Sequence, residues 1–488
     1  MHLLGRTSDV IRSPEQFEQA EQACAKYRLD GLVLVGGPVS NSDTALVAEH
    51  FASRGVRTRV VGVPATIDGD LHSLGIEASI GFDTACRVYA SLVGNLATDA
   101  ASARKYWYFV RMMGRSPSHI TLECANLTQP NVALIGEEIE ARRLSLAEVV
   151  AELADVVEAR AREGKHFGVA LIPEGLIEFI PQMNALLKEV AAVRRMHAAS
   201  GVTTKSLVDA LSPYSSALLN SLPAFIRKQL LLETQASDDK AQLNQIETER
   251  LFAELVRLEL DRRRRQTQHT AGPAALDAKF APVCFYLGYQ ARSSLPSAFD
   301  CSLAATLGHA AAALVAAGAS GYLATAHCLA APTSEWRVCG LPLSALMSAD
   351  RRAGAPVAVV RPSTVDLGST SFRRFALIRE RIQLSELYCN PGPMQLVGAL
   401  SQGLPPGRVL MEHSGRAGEL REMEQRFAAS SAPRAGQAAH PACSRRVSPA
   451  CALRVPRCTC CMRCTRARRA RRRCCSRPPT NDHAESPG

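Results

Sequence analysis

The chain has 488 residues, 47% of them apolar and 21% charged, a globular composition long enough for two or more ordinary domains. Its formal net charge of +11 suggests a nucleic-acid or membrane partner until it is located, because residues 431–488 hold thirteen Arg, no Lys and only Asp482 and Glu485 as acids. The whole excess therefore lies in the tail, and the charge-balanced body before it is not a polycation.

In chain order, Ser13-Pro14-Glu15-Gln16 reads as a helix start, with Ser as cap and Pro in the first turn, and the helix runs to about Tyr27. GLVLVGG (Gly31–Gly37) is a short apolar run ending in glycine, the pattern of a buried parallel strand. A helix stopping at Gly55 and a strand RVVGVP (Arg59–Pro64) follow. The series continues with a helix from Gly81, strand YWYFVRMMG, a short helix from Pro117, strand NVALIGE, helix LAEVVAELADVVEARAREG and strand GVALIPEG. Such alternation predicts a doubly wound, mostly parallel α/β sheet.

From about Met183 to Arg265 the pattern is helical, broken at Pro223 and ETQASDDK. Residues 262–279 read as an exposed connection with solvated arginines. A second α/β set runs through VCFYLGY, a helix around Ala304–Ala317, GYLATAH and VAVVRP to a helix at Phe372–Ile382. The expected organisation is a first α/β domain over 1–182, a mainly helical insertion over 183–265, a second α/β domain over 266–430 and an Arg/Cys-rich tail over 431–488. MHLLGRTSD has no apolar run of signal length and no later stretch reads as membrane-spanning. Cys24, Cys86, Cys124, Cys284, Cys301, Cys328, Cys339 and Cys389 are scattered singly, as reduced thiols are. A cytoplasmic protein is expected.

Ligands of such sheets sit beyond the carboxyl ends of the strands, and the polar motifs fall there. PATIDGD (Pro64–Asp70) leaves a strand directly, placing Thr66, Asp68 and Asp70 at its end. Two carboxylates so spaced can divide a phosphoryl transfer, one taking the proton of an attacking hydroxyl and the other helping to hold Mg²⁺. The same pair suits an Asx-type turn bonded to local backbone. MGRSPSH (Met113–His119) places Arg115 and backbone amides near an anion, although a surface salt bridge would use that Arg equally well. IPEG offers Glu174 to sugar hydroxyls, and GYQAR offers Arg292 to a phosphate.

Together LLGRTSDVIRSPEQ, GVPATIDGDL, GFDTACRVY, KYWYFVRMMGRSPSHITLECA, GVALIPEGLIEFIP, LPAFIRKQLLL, QLNQIETER, GYQARSSLPSAFDC and NPGP, in order over about residues 3–395, resemble the long form of the pyrophosphate-dependent phosphofructokinase family. GGPVSNSD, LSPYSSALL and SDDKAQLNQIETE are more similar to its plant-type alpha (regulatory) subunits than to the catalytic beta subunits. The resemblance implies a phosphofructokinase-like fold, two doubly wound α/β domains with helical insertions, Mg²⁺ as cofactor, and fructose 6-phosphate as substrate with pyrophosphate as donor. It implies Asp68 as the acceptor of the sugar 1-hydroxyl proton, with Asp70 as the second catalytic carboxylate and a metal ligand. Thr66, Met113, Gly114, Arg115, Glu174, Tyr289 and Arg292 match fructose 6-phosphate positions. Lys105 and Tyr106 match residues lent to a neighbouring subunit, so an oligomer is implied.

Three departures stand out. Catalytic members read GGDD where this chain has Gly36-Gly37-Pro38-Val39, and PKTIDGD where Ala65 stands here. Met1 falls after the family's first strand and its Gly-rich phosphate loop, which would leave an apolar sheet edge uncovered. Lost charge at a transferring phosphoryl group costs roughly 2–4 kcal/mol per interaction. The expected function is thus a regulatory subunit that binds fructose 6-phosphate, or a bisphosphate effector such as fructose 2,6-bisphosphate, beside a catalytic beta-type subunit in a heterotetramer. The alternatives are a chain that is itself an active Mg²⁺-dependent phosphotransferase and, from another class, RNA binding through the tail. Cys461-Met-Arg-Cys464 lacks a second thiol pair at zinc spacing, so the tail reads as disordered, with no nucleic acid or membrane partner expected.

Overall fold

A computed structural model describes residues 11–73, 75–114, 117–196, 204–232, 245–271, 279–352, 355–396 and 403–415. All belong to one unit, Met1–Gln425, whereas the second unit, Arg426–Gly488, and with it the Arg/Cys tail, lies outside the described residues. Ten strands are described: β1 (Gly31–Gly36), β2 (Arg59–Pro64), β3 (Trp107–Met112), β4 (Val132–Ala133), β5 (Gly168–Pro173), β6 (Pro282–Leu287), β7 (Tyr322–His327), β8 (Arg337–Pro342), β9 (Met347–Arg352) and β10 (Ala355–Val360). They form two four-stranded sheets, β1-β2-β7-β8 and β4-β5-β3-β6, and a β9–β10 hairpin. Strand β8 runs antiparallel to β7, and the other sheet pairings are parallel. The fold is phosphofructokinase-like, parallel α/β sheets flanked by helices.

Each sheet draws strands from both halves of the sequence. β6 pairs with β3, and β7 pairs with β2. Every residue of β3 and β5 is buried, as their unbroken apolar runs demand of strands covered on both faces. Trp107, Phe109, Ala170 and Ile172 face a core completed by the helices Leu146–Arg162, Pro181–Met196 and Thr248–Ala271. Tyr108, Val110, Met112, Val169 and Leu171 face the opposite core, with the helices Phe82–Ala103, His119–Thr128 and Thr370–Leu384. β1 has a single strand neighbour among the described residues, and Val33 and Val35 are 41% and 52% exposed.

Two local expectations are corrected. The connection expected from residue 262 is helical as far as Ala271, because Glu259 binds Arg262 and Arg263 across one helical turn and Arg263 reaches Asp155 and Glu158 of the helix Leu146–Arg162. The helix Ala298–Ala316 is long and apolar enough to cross a membrane by length and composition, contrary to the sequence reading. Its Phe299, Leu303, Leu307, Ala310 and Ala311 pack against Val61, Val63, Ala324 and Ala326, so the apolarity serves a core helix.

Candidate functional site

Register decides what the site contains. Met112 is paired with Pro173 on one side and Leu287 on the other, so three parallel strands end at one level. The next residues stay in step: the Met113 N–H donates to the Leu287 carbonyl (3.0 Å) and the Glu174 N–H to the Met112 carbonyl (3.0 Å). Met113-Gly114, Glu174 and Gly288-Tyr289 thereby emerge side by side. Glu174, only 4% exposed, accepts the Gly114 N–H at 3.1 Å through Oε2.

The PATIDGD loop arrives from the other sheet. A methyl group placed on Gly114 would lie 3.8 Å from Asp68 Oδ1, so Asp68, Gly114 and Glu174 form one contiguous group. Asp68 and Asp70 are both buried. The Asp68 N–H donates to Thr66 Oγ1 (3.1 Å), the Thr66 carbonyl accepts from Ser79 Oγ (3.0 Å), and the Asp70 carbonyl accepts the Ser363 N–H (2.7 Å). Between them Gly69 has φ +68°, and a side chain there would run into the Phe82 ring. The local turn is made by the Thr66 hydroxyl and backbone groups, and the loop sets the Asp68 carboxylate beside Gly114.

The departures meet on the opposite flank. The Ala65 N–H donates to the Gly36 carbonyl (3.0 Å), and a methyl on Gly37 would lie 3.5 Å from Thr66 Cβ. Asn41 Nδ2 donates to the carbonyls of Gly36 and Gly37, fixing this corner. The helix Pro38–Ser53 starts here with Pro in its first turn, which removes one free N–H. No group of three or more His, Cys, Asp or Glu is placed to hold a metal ion among the described residues. With Pro38 and Val39 at this flank the donor set does not fit a resident Mg²⁺, which asks for several oxygen ligands.

Residues that no motif singled out support these loops. Asp300 accepts the N–H groups of Gly81 and Thr84, anchoring the helix Phe82–Ala103, whose Gly81 cap offers no side chain. Glu137 accepts from Ser118 and Val365. Arg111 of β3 pairs with Glu249 at 2.8 Å and lies 3.9 Å over the Tyr286 ring, tying the strand end to the helical insertion. Burial and the nearby Glu174 push the Tyr286 phenol up to about 12.

The Phosphofructokinase family profile matches residues 4–209. The alpha subunit of pyrophosphate–fructose 6-phosphate 1-phosphotransferase from Solanum tuberosum is 44% identical over 402 residues, 81% of this chain and 64% of the relative. The beta subunit from the same plant is 44% identical over 395 residues, 80% and 67% of the two chains. The Treponema pallidum (strain Nichols) pyrophosphate–fructose 6-phosphate 1-phosphotransferase is 42% identical over 403 residues, 81% and 69% of the two. The chain belongs to the pyrophosphate-dependent phosphofructokinase family.

It spans 64% of the length of the potato alpha subunit. Of the positions this family resemblance implies, Asp68, Met113, Gly114 and Glu174 come together as described, and Thr66 and Asp70 lie on the same loop as Asp68. Tyr289 and Arg292 lie in the short helix after β6, both exposed, with the Arg292 guanidinium 4.4 Å over the Tyr289 ring. Lys105, 4.8 Å over the Tyr106 ring, stands with Tyr106 at the opposite end of β3 and does not join the cluster. Six residues of strand separate the two ends by about 20 Å. Arg115 lies outside the described residues.

Proposed function

We propose that this chain is a sugar-phosphate-binding subunit of a pyrophosphate–fructose 6-phosphate phosphotransferase, with the donor chemistry supplied by a catalytic partner chain. The observation that carries the reading is the split of the PATIDGD loop between two flanks. On one, Asp68 faces Gly114 and Glu174, carboxylate acceptors and backbone suited to sugar hydroxyls. On the other, Ala65 bonds to Gly36, which leads into Pro38 and Val39, and none of the three residues carries a charge. An anionic donor needs cations or metal-bound oxygens at its charge, and these three positions supply neither.

The names of the matched relatives, alpha and beta subunits of one phosphotransferase, support a hetero-oligomer and fructose 6-phosphate as the sugar. Mg²⁺ belongs with the donor, on the partner. The exposed Arg292 and Tyr289 suit the sugar phosphate or a bisphosphate effector, and Lys105 with Tyr106 suits contact with a neighbouring subunit. A cytoplasmic location fits the scattered single cysteines.

The test is formation of fructose 1,6-bisphosphate from fructose 6-phosphate and pyrophosphate by purified chain, with and without a beta-type subunit. The expected result is turnover only in the complex, with fructose 6-phosphate bound by this chain alone in calorimetry. Turnover by the isolated chain, abolished by Asp68→Asn, would instead establish the second reading, an independent phosphotransferase, which the retained Asp68 and Asp70 favour.

A further inference from the structure

Behind the Asp68–Asp70 loop lies a buried cation that no motif announced. Helical residues 407–415 begin at Glu123, whose carboxylate accepts the N–H groups of Gly407 (2.6 Å) and Arg408 (3.0 Å). The capped turn delivers Arg408, 6% exposed, onto the Phe82 ring, with the guanidinium 4.5 Å from its centroid. A methyl on Gly69 would lie 3.2 Å from Arg408 Nη1, so the guanidinium rests against the middle of the DGD sequence. Arg408 Nε is buried without a hydrogen-bond partner, and the carboxylates of Glu412 and Glu123 favour the guanidinium charge against its burial. An arginine cannot shed its charge.

The other contacts of the guanidinium lead back to the same loop. Arg408 Nη1 is 3.4 Å from His119 Nδ1, and His119 Nε2 is 3.1 Å from the Ser363 carbonyl. Burial and the adjoining Arg408 hold the His119 imidazole neutral, well below its usual range. The neutral ring accepts from Arg408 at Nδ1 and donates from Nε2 to Ser363. Ser363 in turn donates its N–H to the Asp70 carbonyl at 2.7 Å. One side of the loop is pressed by the guanidinium at Gly69, and the chain beyond is held at Asp70 through the relay. His72 Nε2 meets Glu412 Oε2 of the same helical stretch at 3.1 Å.

We propose that Arg408 is a positioning residue for the Asp68–Asp70 loop, held in place by Glu123, Phe82 and His119. Burial costs this cation, the nearby Glu412 and Glu123 carboxylates offset part of that cost, and its contact at Gly69 sets the charge against the loop between Asp68 and Asp70. Only the consequence for ligand affinity rests on the sugar-phosphate reading above, since the loop geometry stands without it.

Hydrogen exchange by mass spectrometry on the full chain tests the proposal. Arg408→Ala is expected to speed exchange of the loop amides at 68–72 by about tenfold, the size of one lost charge-assisted hydrogen bond. Exchange in β3 and β5 should stay as in wild type. Guanidinium chloride at non-denaturing millimolar concentration should refill the vacated space and restore slow loop exchange, which a merely structural defect would not allow. Unchanged loop exchange, or acceleration spread equally over β3 and β5, overturns the proposal. Should Arg408→Ala fail to fold, Arg408→Lys carries the test: one ammonium cannot keep both the ring and the His119 contacts, so the same amides must speed up, and wild-type exchange overturns the idea. A parallel calorimetric titration with fructose 6-phosphate keeps the two readings apart. Wild type that does not bind removes the sugar-phosphate reading, while loop exchange still decides the role of Arg408.

Discussion

The N–H of Ala65 donates to the carbonyl of Gly36 at 3.0 Å, which bonds the backbone of one departure from the family pattern to the strand end that leads into Pro38-Val39, the other. The two sequence losses are therefore one structural loss. Replacing Pro38 and Val39 by Asp and Ala65 by Lys should restore both signs of charge at this corner together. Val39 is 39% exposed and Ala65 half-buried, so the new side chains have access to water. Acidic residues are also favourable in a helix's first turn. Isothermal titration with Mg²⁺-pyrophosphate should show binding tightened by at least about tenfold over wild type, since one charge-assisted contact is worth about 1.5–3 kcal/mol. Equal binding by the triple variant and wild type would mean that the corner is not where the donor sits.

Glu174 is expected to matter for the sugar side alone. Glu174→Ala strands the Gly114 N–H and removes a buried acceptor beside Asp68, so fructose 6-phosphate affinity should fall by about 10–100-fold. Glu174→Gln keeps an acceptor for Gly114 and should fall less. Calorimetric affinities that rank wild type, Gln and Ala in that order support the placement, and indistinguishable affinities refute it.

Much of this was legible from the chain. β2 and β5 stand where apolar runs ending in Gly or Pro placed them, because a strand buried on both faces needs no alternation. The antiparallel β8 was not read, since RVCGLP shows neither an apolar run nor a clean alternation, and four of its residues are exposed. The grouping of Asp68 with Glu174 needs the register Met112 to Pro173 and the approach of the second sheet, neither of which local periodicity encodes. Arg408 was invisible for a different reason: a lone Arg after GLPPG resembles any surface arginine until Glu123 and His119 are seen around it.

Acid should loosen the helical insertion. Glu259, hydrogen-bonded to Arg262 and Arg263, has its carboxyl lowered from 4.5 to about 2. A group lowered in the folded state contributes stability above its unfolded value, and this is lost as pH falls from about 4.5 toward about 2. Urea unfolding across that window should show a weaker acid loss in Glu259→Gln than in wild type. The difference should be at most about 1 kcal/mol, because the group is near the surface. Parallel curves for the two proteins would remove the Glu259 clamp from the account.

The buried pair Arg111–Glu249 predicts the opposite pH behaviour. Both side chains are about 5% exposed, and the pair joins β3, two residues before Met113, to the first turn of the helix Thr248–Ala271. Burial raises the Glu249 carboxyl above its ordinary 4.5, with the Arg111 charge opposing. Its folded value thus exceeds its unfolded one, and the associated stability is complete at low pH and lost as pH rises from about 4.5 through the folded value. Glu249→Gln should flatten that decline. Glu249→Ala should cost about 3–5 kcal/mol, because it leaves the Arg111 guanidinium buried without its carboxylate. The double change Arg111→Met with Glu249→Leu, which removes both charges and keeps the volume, should recover most of the loss. Unfolding free energies of the four proteins at two pH values decide the matter, and a double variant no better than Glu249→Ala would show that the insertion is held to β3 by something other than this pair.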